Sequence, residues 1–346
     1  MLYPQIAAFP RLGKDNTPPV RALAGQKTLI SRTMHGIGYD ERRDEIVATS
    51  PLAQAILFFR GNANGEEAPL RVIAGPHTQI QGRAYEAVDR LTVDSVNSEV
   101  YLPVEDETKK TDNVAILVFD STANGDVPPK RVLRGVGYGS IAVDPVHNVM
   151  IVNATGDPLP GDTRTQAPPP PPAPRTPPSG PRDTSLPFQG VNGTYANYQK
   201  RPGPPAGERG QGQGAGGPRR VPQLRIYDRL ANGNDAPLRI ISGPKTGLQG
   251  GLVTIQVTAK GWILAAGGNN NDGDRWIGAW SVNDNGDVPP RWKIPVQKLT
   301  GYGPYSVGID PPHKEMLMSV AGGTSANRPP RGVFNGVYTW SWPEIF

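Results

Sequence analysis

The chain contains no cysteine, so disulfides, thiolate metal sites and cysteine nucleophiles are all excluded. Only four histidines are present, which leaves little material for a histidine-rich metal centre. No apolar run approaches the roughly 20 residues that a membrane-spanning helix needs. No charged-then-apolar leader opens the sequence. Also missing are a Gly-x-Ser-x-Gly nucleophile elbow, a phosphate loop and paired carboxylates with distinguishable roles. Gly135-Val-Gly-Tyr-Gly-Ser140 is glycine-rich, but no helical pattern follows it to receive a phosphate.

Glycine and proline are abundant instead, at 42 and 39 of 346 residues. That usage fits a turn-rich all-β protein carrying a low-complexity segment. The net charge of +5 is unevenly placed: residues 157–222 hold eight Arg or Lys against four Asp or Glu, so this stretch carries +4 and the rest +1. A nucleic-acid binder shows its basic stripe on a folded surface. Here the basic charge sits in one insert, so no nucleic-acid partner is expected.

The strongest signal is a repeated phrase: an Asn-Gly or Asp-Asn turn, then Pro, then Arg and an apolar run, mostly closing on Gly. It reads Ala63-Asn-Gly-Glu-Glu-Ala-Pro-Leu-Arg-Val-Ile-Ala-Gly75 and Ala231-Asn-Gly-Asn-Asp-Ala-Pro-Leu-Arg-Ile-Ile-Ser-Gly243 in its clearest copies. Ala123–Gly135 is a third copy, and Asp284–Pro295 and Lys14–Gly25 are weaker ones. Asn-Gly supplies the positive φ that a tight reversal needs.

Around each copy lie strand-length runs rich in Ile, Val and aromatics, bounded by turn residues. The first unit reads as strand a (His35–Asp40), b (Glu45–Ser50), c (Ala55–Phe59) and d (Leu70–Gly75). The second has Ala87–Asp94, Glu99–Val104, Val114–Asp120 and Lys130–Gly135, and the third Gly139–Asp144, Asn148–Ala154, Leu224–Asp228 and Leu238–Gly243. The fourth has Leu252–Thr258, Gly261–Ala266, Ile277–Val282 and Arg291–Val296. The fifth has Tyr305–Asp310, Glu315–Val320 and Gly336–Trp342, with no strand d. Four-stranded antiparallel units at a period of about 50 residues predict a β-propeller. Five blades is the simplest fit and six the alternative. A surplus c-like strand (Ile6–Phe9) and a d strand (Val20–Gly25) open the chain, and the latter is expected to complete the last blade and close the ring. Residues 1–156 and 223–346 form this single propeller, and 157–222 is an insertion between strands b and c of the third blade.

The repeat also judges the candidate site residues. His147 and His313 share one position in the a–b turn, where other units carry Arg43 and Asn97, so a structural turn role is expected. His77 matches Lys245 and reads as a loop residue. Asp40, Asp94, Asp144 and Asp310 end strand a and are expected to hydrogen-bond their own turns. Arg21, Arg71, Arg131 and Arg239, with Arg291 one place early, are expected to tie strand d to carbonyls or carboxylates of an adjacent element. Asn269–Asp274 has oxygen-rich composition without the spacing of an EF-hand calcium loop. No metal or other cofactor is assigned. Four residues stand apart from the repeat logic: His35, Tyr138, Tyr302 and Tyr305 precede or open strand a and are candidates for one mouth of the axial channel.

The insertion holds 17 Pro and 11 Gly in 66 residues, with Pro168 to Pro172 consecutive. Such a segment favours extended or polyproline conformation and builds no core of its own. Leu186, Phe188, Tyr195 and Tyr198, with Arg219 and Arg220 near its end, suit an extended arm laid across a partner or the propeller itself.

Gly139-Ser-Ile-Ala-Val-Asp144, followed by an apolar strand b and an Ile-Leu-Val-Phe type of strand c, resembles the NHL-repeat propellers over nearly the whole chain outside 157–222. Many NHL repeats carry Asp after strand b and Asn-x-Arg before strand c, where this chain has Thr49-Ser50 and Gln54-Ala55. The Ala-Asn-Gly-Asp…Pro-x-Arg linker is similar to that of a bacterial subgroup. The resemblance implies a periplasmic, cell-surface or secreted protein, with a cytoplasmic one the alternative; the start of the chain almost inside a strand is in keeping with processing. NHL-like propellers include scaffolds, ligand binders, lactonases and a metal-dependent lyase, so the fold alone assigns no activity. The expectation is a non-enzymatic scaffold or accessory subunit that binds other protein subunits and is compatible with peripheral contact with a membrane complex. A propeller hydrolase or lyase with an axial metal, and a carbohydrate- or ligand-binding propeller, are the alternatives.

Overall fold

Short apolar runs separated by Gly- and Asp-bearing turns build a series of small antiparallel sheets. The structure is a computed structural model. It describes residues 4–31, 36–80, 90–106, 112–137, 139–162, 164, 220–249, 254–268, 274–323 and 336–346. The chain opens with a hairpin of β1 (Gln5–Ala8) and β2 (Arg21–Ala24). Blade one follows as β3 (Ile37–Asp40), β4 (Glu45–Ser50), β5 (Ala55–Arg60) and β6 (Arg71–Ala74). Blade two is β7 (Thr92–Asp94), β8 (Glu99–Glu105), β9 (Val114–Asp120) and β10 (Arg131–Val136). Blade three is β11 (Ile141–Asp144), β12 (Val149–Gly156), β13 (Val221–Asp228) and β14 (Arg239–Ile241). Blade four is β15 (Gln256–Val257), β16 (Trp262–Gly267), β17 (Trp276–Ser281) and β18 (Trp292–Ile294). Blade five is β19 (Tyr302–Asp310), β20 (Glu315–Gly323) and β21 (Gly336–Ser341). Each blade runs a-b-c-d or a-b-c in strict meander order, the arrangement of a five-bladed β-propeller.

The expected strand d of blade four is cut short at Ile294, and Val296–Thr300 forms one turn of helix (α1) ended by Gly301 at φ 78°. That helix was not legible as one, because five residues hold too little periodicity to register. The insertion leaves after β12 and returns at β13, whose ends pair directly through Gly156 and Val221.

The N-terminal segment closes the ring in a different way from simple strand addition. Both edges of β2 are already used: β1 pairs along one, and on the other Ala24 N donates to Gly65 O at 2.9 Å while Gly65 N donates to Ala22 O at 2.8 Å. Among the described residues no edge of β2 remains for β21, and the sheet of blade five has three strands. The hairpin instead lies against blade one and reaches blade five through an ion pair, Arg11 Nη1 to Glu315 Oε2 at 2.9 Å.

The core lies between blades. Val47, Phe58 and Ile73 on one face of blade one meet Leu91, Val100 and Leu102 of blade two, all buried. Equivalent layers follow between later blades, with Trp276 and Trp280 filling the one between blades three and four.

Candidate functional site

The repeated phrase is a clip between blades. Each Asn-Gly turn docks on strand d of the preceding sheet. Asn64, Asn124, Asn232 and Asn285 accept, through Oδ1, from Ala22 N, Val72 N, Val132 N and Ile240 N at 3.0–3.1 Å. The adjoining glycine forms a parallel bridge to the same strand: Gly65 to Leu23, Gly125 to Ile73, Gly233 to Leu133 and Gly286 to Ile241. The glycine is required because it sits at positive φ, 68° at Gly65 and 82° at Gly125. The acid after it takes part too: Asp126 accepts from His77 N at 2.8 Å and Asp287 from Lys245 N at 2.7 Å.

The other repeated groups are spent in the same wiring. Asp40, Asp94, Asp144 and Asp310 cap their own turns, and Arg43, Asn97, His147 and His313 each hydrogen-bond the Asp three residues earlier. Arg21 donates to Gly61 O at 3.0 Å, Arg71 to Ser121 O at 2.9 Å and Arg239 to Val282 O at 2.8 Å, in each case crossing to the next blade. Arg291 bonds Asp284 at 2.7 Å. Arg131 forks onto Glu99 with both bonds at 2.8 Å, while Arg229 reaches the same carboxylate from blade three at 2.9 Å. Burial would raise the Glu99 pKa, but hydrogen bonds from Arg131, Tyr101 and Lys130 outweigh it and hold the carboxyl at about 2. Among the described residues, no three His, Asp or Glu gather as a metal site.

What the wiring leaves open is a cavity of about 650 Å³ on the axis, walled by the inner strands β3, β7, β11, β15 and β19 and by Leu317, Ser319 and Val337 of blade five. Its lining is exposed on blades five and one, as equivalent strand positions show. Leu91, Ile141, Ile255 and Val307 occupy equivalent places and are 7%, 5%, 1% and 2% exposed, whereas Ile37, their counterpart in blade one, is 55% exposed. The opposite wall behaves likewise. Val337 of β21 is 70% exposed, while Ile56 and Ile116, at the same place in blades one and two, are fully buried. Tyr39 stands beside Ile37 in this cleft, its hydroxyl donating to Asp44, a bond that pushes its pKa up to about 12. Polar groups at the axis are tied to one another: Thr254 Oγ1 lies 2.9 Å from Ser306 Oγ and accepts from Val307 N at 2.8 Å.

Of the residues singled out from sequence, His35, Tyr138, Leu186, Phe188, Tyr195, Tyr198 and Arg219 lie outside the described residues, as does most of Asn269–Asp274. Tyr302 packs against the core of blade five and Tyr305 is exposed; neither lines the cavity. Arg220 is drawn inward, donating to Thr155 O at 2.8 Å and to Asp112 within its own chain. The cleft residues Ile37, Tyr39 and Val337 went unnoticed because they look like ordinary strand residues. A signal was present: the fifth unit shows no strand d in its sequence pattern, and its described residues form three strands.

No family model matches the chain, and no curated protein matches it in sequence. Similar solved structures include hydrazine synthase of Kuenenia stuttgartiensis, at 8% identity and TM-score 0.42, covering 83% of this chain and 55% of that one. The Dos1 propeller gives 7% and 0.40, covering 83% and 54%. The WD40 propeller domain of Doa1 gives 12% and 0.41, covering 91% and 82%. The chain thus spans about half the length of the first two. The fold assignment rests on the sheet topology itself.

Proposed function

We propose that this propeller is a non-catalytic scaffold that binds protein partners through the cleft between blades five and one. The observation that carries the reading is the exposure of Ile37 at a position buried in every other blade. A soluble ring gains nothing by leaving that wall in water, and an apolar recess of this kind is what a partner covers. The repeated polar side chains support the same reading, since they are committed to turns and to neighbouring blades and act by holding the walls rigid. The insertion at 157–222 supplies a second, extended contact in this proposal. The NHL-like strand a motif and linker support placing the chain beside the exported NHL-like propellers, and with them an extracytoplasmic site of action.

The test is native mass spectrometry of the protein purified from its source, with Ile37→Asp as the comparison. The expected result is a defined complex that Ile37→Asp dissociates. A monomer in both preparations, or a metal retained at the axis with turnover of a lactone, would overturn the scaffold reading.

A further inference from the structure

The clips also decide the chemistry of the asparagines that build them. An asparagine followed by glycine is prone to deamidation, because no side chain on the glycine hinders its backbone nitrogen from attacking the asparagine Cγ. That nitrogen gives up its proton and bonds to Cγ, and the side-chain amide nitrogen leaves as ammonia. Water then opens the resulting succinimide at either carbonyl. One opening gives aspartate; the other gives isoaspartate, with the main chain rerouted through the side chain.

The clips pin both reacting groups. Each pair brackets a single residue of strand d: Asn64 and Gly65 bracket Ala22, Asn124 and Gly125 bracket Val72, Asn232 and Gly233 bracket Val132, and Asn285 and Gly286 bracket Ile240. The asparagine Oδ1 accepts from that residue's N–H at 3.0–3.1 Å, and the glycine N–H donates to the same residue's carbonyl at 2.7–2.8 Å. The nucleophile is thus held on a carbonyl of the preceding sheet and cannot turn onto Cγ without breaking that bond. Attack requires the turn to leave strand d, the same event that opens the glycine N–H to hydrogen exchange. The two products then differ. Aspartate keeps an oxygen where Val72 N needs an acceptor. Isoaspartate adds a methylene to the main chain ahead of Gly125, which displaces both halves of the bracket and takes these partners from the N–H and carbonyl of Val72.

We propose that the four clip asparagines are modification sites that deamidate only through an opened blade junction, and that isoaspartate formed there keeps the junction from closing again. This inference rests on the clips and is independent of the scaffold reading.

The full chain is incubated at mildly alkaline pH beside a synthetic peptide of residues 121–129 and the matching peptides of the other clips, and each site is followed by peptide mass spectrometry. In the folded chain Asn124 is expected to react at least about a hundredfold more slowly than in its peptide, the factor set by an opening free energy of about 2.8 kcal/mol. Hydrogen exchange at Gly125 is expected to be slowed comparably. Asp126→Ala removes the acceptor of His77 N, 2.8 Å away, and leaves the bracket itself in place. It is expected to speed both deamidation at Asn124 and exchange at Gly125 by about threefold to tenfold, measured against a peptide with the same change, with Asn64, Asn232 and Asn285 unaltered. Asp287→Ala takes the acceptor from Lys245 N and repeats the comparison at Asn285 if the first variant does not fold. Asn124→Asp, which copies one product, is expected to keep the wild-type thermal midpoint, whereas aged protein with isoaspartate at position 124 exchanges faster at Val72. Deamidation of the folded chain at the peptide rate overturns the inference. So does a variant that speeds exchange at Gly125 without speeding deamidation, or one that speeds all four sites alike, because the reaction then follows local geometry or global unfolding and not the junction. Unchanged exchange at Val72 in the isoaspartate form overturns the block to reclosure.

Discussion

Arg11 Nη1 donates to Glu315 Oε2 at 2.9 Å, joining the N-terminal hairpin to the last blade across 304 positions of sequence. Both side chains are partly exposed, so their attraction is screened by water and salt. A double-mutant cycle of Arg11→Ala and Glu315→Ala, followed by urea unfolding, is expected to give a coupling below about 1 kcal/mol. A larger value would mean that this pair, and not the Asn-Gly clips, holds the ring together.

Glu99 presents the opposite case. It is buried and receives Lys130, Arg131 and Arg229 at once. Glu99→Gln removes the carboxylate charge that Lys130 and Arg131 share, leaves Arg229 with the more distant Asp94 at 4.0 Å, and is expected to cost about 3–5 kcal/mol, read from urea unfolding. The pH dependence follows from the depressed pKa. Its contribution to stability is present above the ordinary carboxylate value of 4.5 and is lost as pH falls towards about 2. Wild-type stability should therefore fall across that window, and the Glu99→Gln variant should show a shallower fall there by circular dichroism.

Asn124→Ala removes the acceptor for Val72 N while leaving the backbone bridge of Gly125 in place. The expected loss is about 1–2 kcal/mol, since a backbone donor loses its partner. Hydrogen exchange should speed up at Val72 in β6 more than at Val47 in the middle of the blade. Equal acceleration throughout would point to global unfolding instead of an opened junction.

Ile37 and Ile141 occupy the same place in blades one and three, but only the second is covered. Ile141→Asp buries a charge between blades and should destabilise by more than about 3 kcal/mol. Ile37→Asp should stay within about 0.5 kcal/mol, the range of surface substitutions. Thermal melts of the two variants compare them directly, and equal losses would show that the cleft wall is covered in solution.

Gly156 and Val221 are direct cross-strand partners, so a two-residue turn can replace residues 157–220. The excised protein is expected to keep its far-ultraviolet spectrum and its ring. It forfeits the bonds of Arg220 to Thr155 and of Gln223 to Asp157, a loss of about 1–2 kcal/mol. Weakened association with the native complex would support the arm; unchanged association would refute its role.

The blades were legible because each strand obeys local rules: alternating apolar residues, a turn glycine, a capping Asp. The same comparison of copies read His147 and His313 as turn residues, and Arg43 and Asn97 fill their place and make the same bond to Asp. The cleft was not legible. Ile37 has the identity of a core residue, and its exposure depends on which sheet lies opposite, a matter of ring closure and not of local sequence. Arg220 likewise looked like part of a basic arm until Asp112 and Thr155 were found beside it.

By itself, then, the sequence determined the blade: period, strand order and the use of its repeated polar residues are all consequences of short-range chemistry. Only the tertiary structure decided how the ring meets itself. The two edges of β2 can each be satisfied once, and β1 and Gly65 satisfy them. Among the described residues that choice of partners leaves β21 paired on one edge alone and Ile37 exposed, and it makes the Asn-Gly phrase a clip between blades as well as a turn signal.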